Sequence, residues 1–137
     1  MNVVPVYISA GISGFESPAA EYKELGLSLD DLLIEHPDAT FVGIAQGDSM
    51  EKIGIFSGDA LIVDRSLKAK HLDVIVANYN GTFVCKILDL KNRSLLSASP
   101  KHNPVNISET DIFQIEGVVP YSIRVLQTNM RLISCMP

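Results

Sequence analysis

The strongest constraint on the fold is the dipeptide Asn80-Gly81, which lies between two runs of strand-forming residues, 73–79 and 82–88. Asparagine and glycine both tolerate the positive φ that a type I′ turn requires, and this turn matches the right-handed twist of paired strands. The sequence therefore predicts an antiparallel hairpin in the second half of the chain.

Similar apolar runs bounded by turn residues occur on both sides of this hairpin. They predict further strands at residues 40–45, 60–63, 95–98 and 112–125. Two short helices are expected before them. Ser17 and Pro18 would begin the first, over residues 19–25, and Ser28 would begin the second, which Pro37 ends. The predicted fold class is mostly β, with two short N-terminal helices.

The first 16 residues differ from the rest of the chain. Small residues and glycines resist regular structure, and here they follow a short apolar segment. We expect residues 1–16 to form a flexible, accessible arm and residues 17–137 to form one domain. A small residue precedes glycine twice in the arm, at Ala10-Gly11 and at Ser13-Gly14.

Composition excludes several classes of function. The chain has 137 residues, 47% of them hydrophobic, and a formal net charge of −5, which argues against direct nucleic-acid binding through phosphates. No apolar run is long enough to span a bilayer, so no membrane partner is expected. Two cysteines form no disulfide framework, and the widely spaced histidines show no metal-site spacing. We expect no metal, no cofactor and a reducing cytoplasm.

Two residues suggest chemistry. Ser49 stands in Gly47-Asp48-Ser49-Met50, where a strand gives way to a turn and a hydroxyl would be exposed. Lys86 lies within an apolar strand, 82–88, where burial would favour its neutral amine over the ammonium form. A neutral lysine can act as the base for a serine nucleophile. Ser49 and Lys86 are therefore the candidate nucleophile and general base.

Other interpretations remain open from the residues alone. Lys86 could extend its amine from an edge strand to water, and the Ser49 turn has an ordinary turn composition. A Ser-His-Asp triad could use His36, His71 or His102, although the sequence singles out none of them. Paired carboxylates at Asp48 and Asp59 are disfavoured, because aspartate in a Gly-Asp turn commonly binds the local backbone.

Several segments together resemble the UmuD proteins, which belong to the LexA-like self-cleaving serine peptidases. The match extends over about residues 13–126 and rests on short pieces that are specific in combination. These pieces are Ser17-Pro18-Ala19-Ala20-Glu21-Tyr22, Leu32-Leu33-Ile34-Glu35-His36-Pro37, Gly47-Asp48-Ser49-Met50, Gly54-Ile55, Ser57-Gly58-Asp59, Leu61-Ile62-Val63-Asp64, Val84-Cys85-Lys86 and Gly117-Val118-Val119.

The resemblance implies a LexA-like peptidase domain over residues 17–137, with Ser49 as nucleophile and Lys86 as general base. The family cuts its own arm before a glycine that follows a small residue. Ala10-Gly11 is slightly favoured as the cut bond because alanine is a common residue there, and Ser13-Gly14 is the alternative.

The resemblance also implies partners. Family members are homodimers, and filaments of RecA on DNA stimulate their cleavage in the SOS response to DNA damage. The cleaved form joins a Y-family (UmuC-like) DNA polymerase catalytic subunit in error-prone translesion synthesis. No DNA-binding segment precedes the match, which favours this role over that of a repressor. The residues 127–137 extend beyond the match and have no assigned role.

Two alternatives belong to other classes. A non-catalytic dimeric module could keep the fold and bind the polymerase, although a buried amine would then serve no evident purpose. A peptidase acting on other chains, such as a signal peptidase, would need a membrane anchor, and the sequence shows none.

Overall fold

The computed structural model describes Val3, Ile8, Ala10, Gly11 and residues 26–127. These residues fall into two compact units, of which the first ends at Glu35 and the second begins at His36. The first predicted helix and most of the predicted arm lie outside the described residues, so the arm boundary at residue 16 stays a prediction. None of the helices in the described part of the chain has the length and apolar character needed to cross a membrane.

The first unit contains the second predicted helix, α1 (Leu29–Leu33), which begins where the sequence indicates. The Ser28 hydroxyl accepts a hydrogen bond from the Asp31 backbone N–H at 3.1 Å, and the Asp31 carboxylate accepts one from the Ser28 N–H at 3.0 Å. This reciprocal pair satisfies two of the N–H groups that the start of a helix leaves without partners. The helix ends as Ile34 turns to an extended conformation.

The second unit is built on one antiparallel sheet, which confirms the predicted mostly β class. Over residues 36–127 the sheet has seven strands in the order β1-β2-β7-β3-β4-β5-β6. The strands are β1 (Thr40–Ile44), β2 (Ala60–Asp64), β3 (Val74–Tyr79), β4 (Thr82–Asp89), β5 (Ser94–Leu96), β6 (Val105–Asn106) and β7 (Phe113–Ile123). Short 3₁₀ helices occupy Pro37–Ala39 and Glu51–Ile53.

The predicted hairpin joins β3 and β4. Asn80 and Gly81 have φ angles of 52° and 88°, as a type I′ turn requires. Tyr79 pairs with Thr82, and the Asn78 side chain accepts a hydrogen bond from the Gly81 N–H at 2.9 Å. The turn thereby fixes the register of the whole β3–β4 pair.

Both faces of the sheet are apolar. Adjacent strand residues point to opposite faces, and the neighbours Ile75 and Val76 accordingly belong to two different hydrophobic clusters. On β4, Cys85 packs against the cluster that contains Val76, and Val84 packs against the cluster that contains Ile75. The alternation expected along β4 is therefore confirmed for these two neighbours.

Strand β7 lies in the middle of the sheet although it is the last strand along the described residues. It pairs with β2 on one side and with β3 on the other, and the register shifts on both sides. At Gly117 an added Cβ would lie 2.7 Å from Val63 Cγ1 and 2.9 Å from the Asp64 carbonyl oxygen. The close approach of β2 and β7 therefore requires a residue without a side chain.

We expect Gly117→Ala to destabilise the fold by about 1–3 kcal/mol, because the new methyl group must push β2 and β7 apart. The matched control is Gly43→Ala on β1, where an added Cβ meets nothing within 4 Å. Urea unfolding should give a lower midpoint for Gly117→Ala and a free energy of unfolding within about 0.5 kcal/mol of the wild type for Gly43→Ala. Equal stability of the two variants would show that β2 and β7 can move apart to accept the methyl group without a loss of folding free energy.

Candidate active site

Ser49 lies on the turn that follows β1. Gly47 has a φ of 91°, which allows the chain to reverse direction just before the serine. Met50, the next residue, is only 3% exposed and packs in the cluster that contains Val76. Ser49 itself is partly buried. The turn is therefore anchored in the core by the methionine while the neighbouring serine side chain keeps access to solvent.

Backbone hydrogen bonds hold this turn against the segment that follows β5. The Ala98 N–H donates to the Ser49 carbonyl oxygen at 2.7 Å, and the Lys52 N–H donates to the Ala98 carbonyl oxygen at 2.9 Å. Ala98 is itself buried. These two hydrogen bonds to Ala98 fix the position of the Ser49 turn relative to the segment that follows β5.

An ion pair between the buried Asp59 and the more exposed Arg124 holds the chain beyond the turn. The Asp59 carboxylate accepts hydrogen bonds from Arg124 Nε at 3.0 Å, from Arg124 Nη2 at 2.9 Å and from the Phe56 N–H at 2.8 Å. Arg124 also donates to the Gly54 carbonyl oxygen, and its guanidinium lies 3.9 Å from the centre of the Phe56 ring. The Arg124 hydrogen bonds lower the pKa of Asp59 below its ordinary value. Residues 54–59 are thus fastened to the end of β7.

Lys86 lies on β4 directly opposite Ile75 of β3, a side chain with no exposed surface. Its amine donates a hydrogen bond to the Ser97 hydroxyl at 2.9 Å. Burial lowers the pKa of Lys86 below its ordinary value, and the smaller effects of Cys85 and Asp48 oppose that change. The site therefore favours the neutral amine more than water does.

Ser49 and Lys86 line the same open pocket, which has a volume of about 750 Å³. Its walls are largely apolar, with contributions from Ile44, Met50 and Val76. Within the described residues the Ser49 hydroxyl forms no hydrogen bond with Lys86, whose amine points to Ser97 instead. The structure thus brings the two predicted residues into one pocket, with the lysine held by a third residue.

The histidines predicted as alternative bases lie elsewhere. None of the three lines the pocket, and each has an aspartate partner. His36 Nδ1 lies 2.6 Å from Asp64, and His71 Nδ1 lies 3.7 Å from Asp89. In the part of the chain that the structure describes, no Ser-His-Asp array is therefore assembled around Ser49.

Asp48 and Asp59, considered as paired carboxylates, have separate partners. Asp59 binds Arg124 and the local backbone, as described above. Asp48 Oδ1 lies 2.7 Å from His102 Nε2, a hydrogen bond that is the largest cause of the lowered pKa of Asp48. Lys101 Nζ lies 3.9 Å from the same carboxylate. Asp48 therefore joins the Ser49 turn to residues 101–102, at the surface beside the pocket.

Cys85 behaves as a small core residue. It packs against a hydrophobic cluster, and burial raises the pKa of its thiol to about 11. Among the described residues, no group of three or more histidine, cysteine or acidic side chains is arranged to hold a metal ion.

Of the two candidate cleavage bonds, Ala10-Gly11 falls on described residues and Ser13-Gly14 lies outside them. The choice between the two bonds stays a prediction.

Sequence reasoning missed Ser97 and Ala98, which contact Lys86 and the Ser49 turn. The predicted strand 95–98 ends earlier in the structure, at Leu96, so both residues lie just beyond β5. Their roles depend on the register of β4 with β5. Local composition does not reveal this register, because it depends on which strands become neighbours in the sheet.

Comparison with known proteins identifies the family of this chain. The family model described as Peptidase S24-like matches residues 3–120. The chain is 38% identical to protein MucA of Escherichia coli over 125 residues, which cover 90% of this chain and 86% of MucA. It is 37% identical to protein SamA of Salmonella typhimurium (strain LT2) over 83% of this chain and 82% of SamA. The LexA repressor of Bordetella parapertussis is 31% identical over 77% of this chain and 50% of that repressor.

The family match spans most of the described sheet and includes both Ser49 and Lys86, which line the pocket. The aligned region covers more than four fifths of MucA and of SamA, and half of the repressor. This chain belongs to the Peptidase S24-like family, the serine peptidases of the LexA and UmuD type, and is a UmuD-type member of it.

Proposed function

We propose that this protein is a peptidase that cuts its own N-terminal arm, with Ser49 as nucleophile and Lys86 as general base. The observation that carries the proposal is the shared pocket: a serine on an anchored turn and a lysine whose pKa is lowered by burial line the same cavity. Membership of the S24-like family supports the same chemistry.

The reaction uses the lysine amine twice. Neutral Lys86 takes the proton of the Ser49 hydroxyl while the oxygen attacks the carbonyl carbon of the scissile peptide bond. The tetrahedral intermediate collapses, the C–N bond breaks, and the Lys86 ammonium returns its proton to the leaving amine. Water then attacks the acyl ester with Lys86 again as base, which regenerates Ser49 and leaves a new carboxylate.

A backbone N–H group near the nucleophile is expected to stabilise the negative oxygen of the intermediate. The Ser49 N–H donates no hydrogen bond within the described residues, so it is available as such a donor. The glycine at position 47 and the buried Met50 hold this part of the backbone in place.

The substrate is the arm itself, cut at Ala10-Gly11 or, as the alternative, at Ser13-Gly14. By likeness to the UmuD type, RecA filaments on DNA stimulate the cut during the SOS response, in the cytoplasm. The processed homodimer then serves as accessory subunit of a Y-family, UmuC-like translesion polymerase. The high coverage of MucA and SamA and the likeness to a LexA repressor support this role.

We expect the purified protein to shorten by itself, and expect Ser49→Ala and Lys86→Ala to reduce the rate at least about a thousandfold, because each removes a reacting group. Intact mass over time measures the cut, and the mass of the product distinguishes Gly11 from Gly14 as the new N-terminus. Ser99→Ala and Lys91→Ala are the matched controls and should cleave at the wild-type rate.

A mass that stays unchanged, even with RecA filaments and an activating nucleotide added, would contradict self-cleavage. The protein would then be better explained as a non-catalytic dimeric polymerase-binding module. Circular dichroism on each variant establishes that a lost cut does not reflect a lost fold.

We expect the cleavage rate to rise about tenfold per pH unit and then to level off at a pH below 10.5, the ordinary pKa of lysine. The reason is that burial lowers the pKa of Lys86, so the fraction of neutral amine grows with pH and saturates earlier than for an exposed lysine. Initial rates between neutral and alkaline pH test this. A flat profile over that range would rule out a lysine that must lose its proton before it can act.

A further inference from the structure

We infer that Ser97 is the positioning residue of this site: its hydroxyl accepts a hydrogen bond from the Lys86 amine and orients that amine for proton transfer from Ser49. The inference rests on the proposed function and adds a residue to it. The contact that points to it is the 2.9 Å distance between Lys86 Nζ and Ser97 Oγ.

The sheet places Ser97 beside Lys86 by register. Ile87 of β4 pairs with Leu96 of β5, and Leu88 pairs with Leu95. Continuing this antiparallel register by one residue brings Ser97 opposite Lys86, where cross-strand side chains lie about 4.5–5.5 Å apart at Cβ. The short serine side chain thus meets the end of the lysine side chain because the strand pairing directs it there.

The same short segment also holds the nucleophile. Ala98, the next residue, receives and donates the backbone hydrogen bonds that fix the Ser49 turn and Lys52. Residues 97 and 98 therefore contact both halves of the site, the first through a side chain and the second through its backbone. A shift of this segment would move the amine and the hydroxyl relative to each other.

The other groups around Lys86 do not orient it. Cys85 is adjacent in sequence, and its pKa of about 11 keeps the thiol neutral near physiological pH. Asp48 affects the lysine only through its charge, and its carboxylate is bound to His102. Arg65 and Glu116, also on the pocket wall, lie 3.5 Å from each other. Among the described residues, Ser97 is the hydrogen-bond partner of the amine.

The geometry of a neutral amine explains why one acceptor matters. A neutral lysine amine carries two N–H bonds and one lone pair, which rotate freely about the Cε–Nζ bond in an exposed side chain. When Ser97 accepts one N–H, rotation is restricted and the lone pair is confined to one of the two remaining positions on the nitrogen. The lone pair is the part that must receive the Ser49 proton, so the hydrogen bond to Ser97 prepares the base for its step.

The same contact also affects the pKa of Lys86. A hydroxyl oxygen that accepts from the ammonium stabilises the charged form, which opposes the effect of burial. Loss of the hydroxyl should therefore lower the pKa of Lys86 further while it reduces the rate. If Ser97 served only the fold, its loss would instead expose Lys86 and raise its pKa towards the ordinary value.

The first test measures the lysine directly and does not depend on cleavage. The full chain carrying Ser49→Ala is labelled with ε-¹³C lysine, and the Lys86 signal is assigned by its loss in Lys86→Arg. NMR titration should give a lower pKa for Lys86 when Ser97→Ala is added. Ser99→Ala, a serine two positions further along whose hydroxyl accepts from the Lys101 N–H, should leave the pKa unchanged.

The second test measures cleavage in chains that keep Ser49. Ser97→Ala should lower the plateau rate at alkaline pH by about tenfold or more, the size expected for one lost hydrogen bond at the reacting group. Ser97→Thr keeps a hydroxyl and should retain most of the rate, while Ser97→Val, which nearly matches threonine in shape but lacks the hydroxyl, should not. If Ser97→Ala fails to fold, the difference in plateau rate between Ser97→Thr and Ser97→Val tests the role of the hydroxyl.

An unchanged Lys86 pKa or an unchanged plateau rate in the variants that lack the hydroxyl would overturn the role of Ser97. Absence of any cleavage in the wild-type chain would instead overturn the proposed function. In that case the titration alone decides whether Ser97 holds the amine, so the two failures are distinguishable.

Discussion

The insertion of β7 between β2 and β3 is the constraint on which the rest of the structure depends. The Ser49 turn follows β1, which pairs with β2, whereas Lys86 lies on β4, which pairs with β3. Without β7, the two halves of the sheet would share no strand, and the pocket between them would not form. Gly117 permits this insertion because an added Cβ would lie 2.7 Å from Val63. Strand β7 therefore completes a pocket whose two candidate catalytic residues lie well before it in the sequence.

Burial favours the neutral amine of Lys86, but it also destabilises the folded protein whenever the amine is protonated. Its pKa in the folded protein is below 10.5, the ordinary value that it regains on unfolding. Between these two values the unfolded chain binds more protons than the folded chain, so stability rises with pH across this window. Below this window, where both states carry the proton, the ammonium is less well solvated in the folded protein than in the unfolded chain, and this lowers the free energy of unfolding. The hydrophobic clusters on both faces of the sheet and the hydrogen bond to Ser97 offset that cost.

The sequence predicted those turns and helix ends that depend on residues close together in the chain. The Asn80-Gly81 turn and the cap at Ser28 were found because each depends on residues within a few positions of one another. The placement of β7 in the middle of the sheet and the pairing of Asp59 with Arg124 were missed, because they join positions far apart in the chain. Lys86 stood out because a lysine is unusual within an apolar strand, and Ser49, in an ordinary turn, was selected because it offers the nucleophile that such a lysine could activate. Ser97 did not stand out, since a serine after a strand is ordinary until the neighbouring strand is known.

In the proposed mechanism, some residues of the site react and others only hold the reacting residues in position. Ser49 forms no hydrogen bond with Lys86 within the described chain, yet its neighbours are firmly held: Met50 is 3% exposed and Ala98 binds the turn through its backbone. A nucleophile that was itself strongly hydrogen-bonded would have to break that bond before attack. Fixing the backbone on both sides of the serine restricts its position and leaves its hydroxyl available for the incoming peptide. The lysine differs, because its long side chain has more rotational freedom, and a direct contact from the neighbouring segment is needed to orient its end.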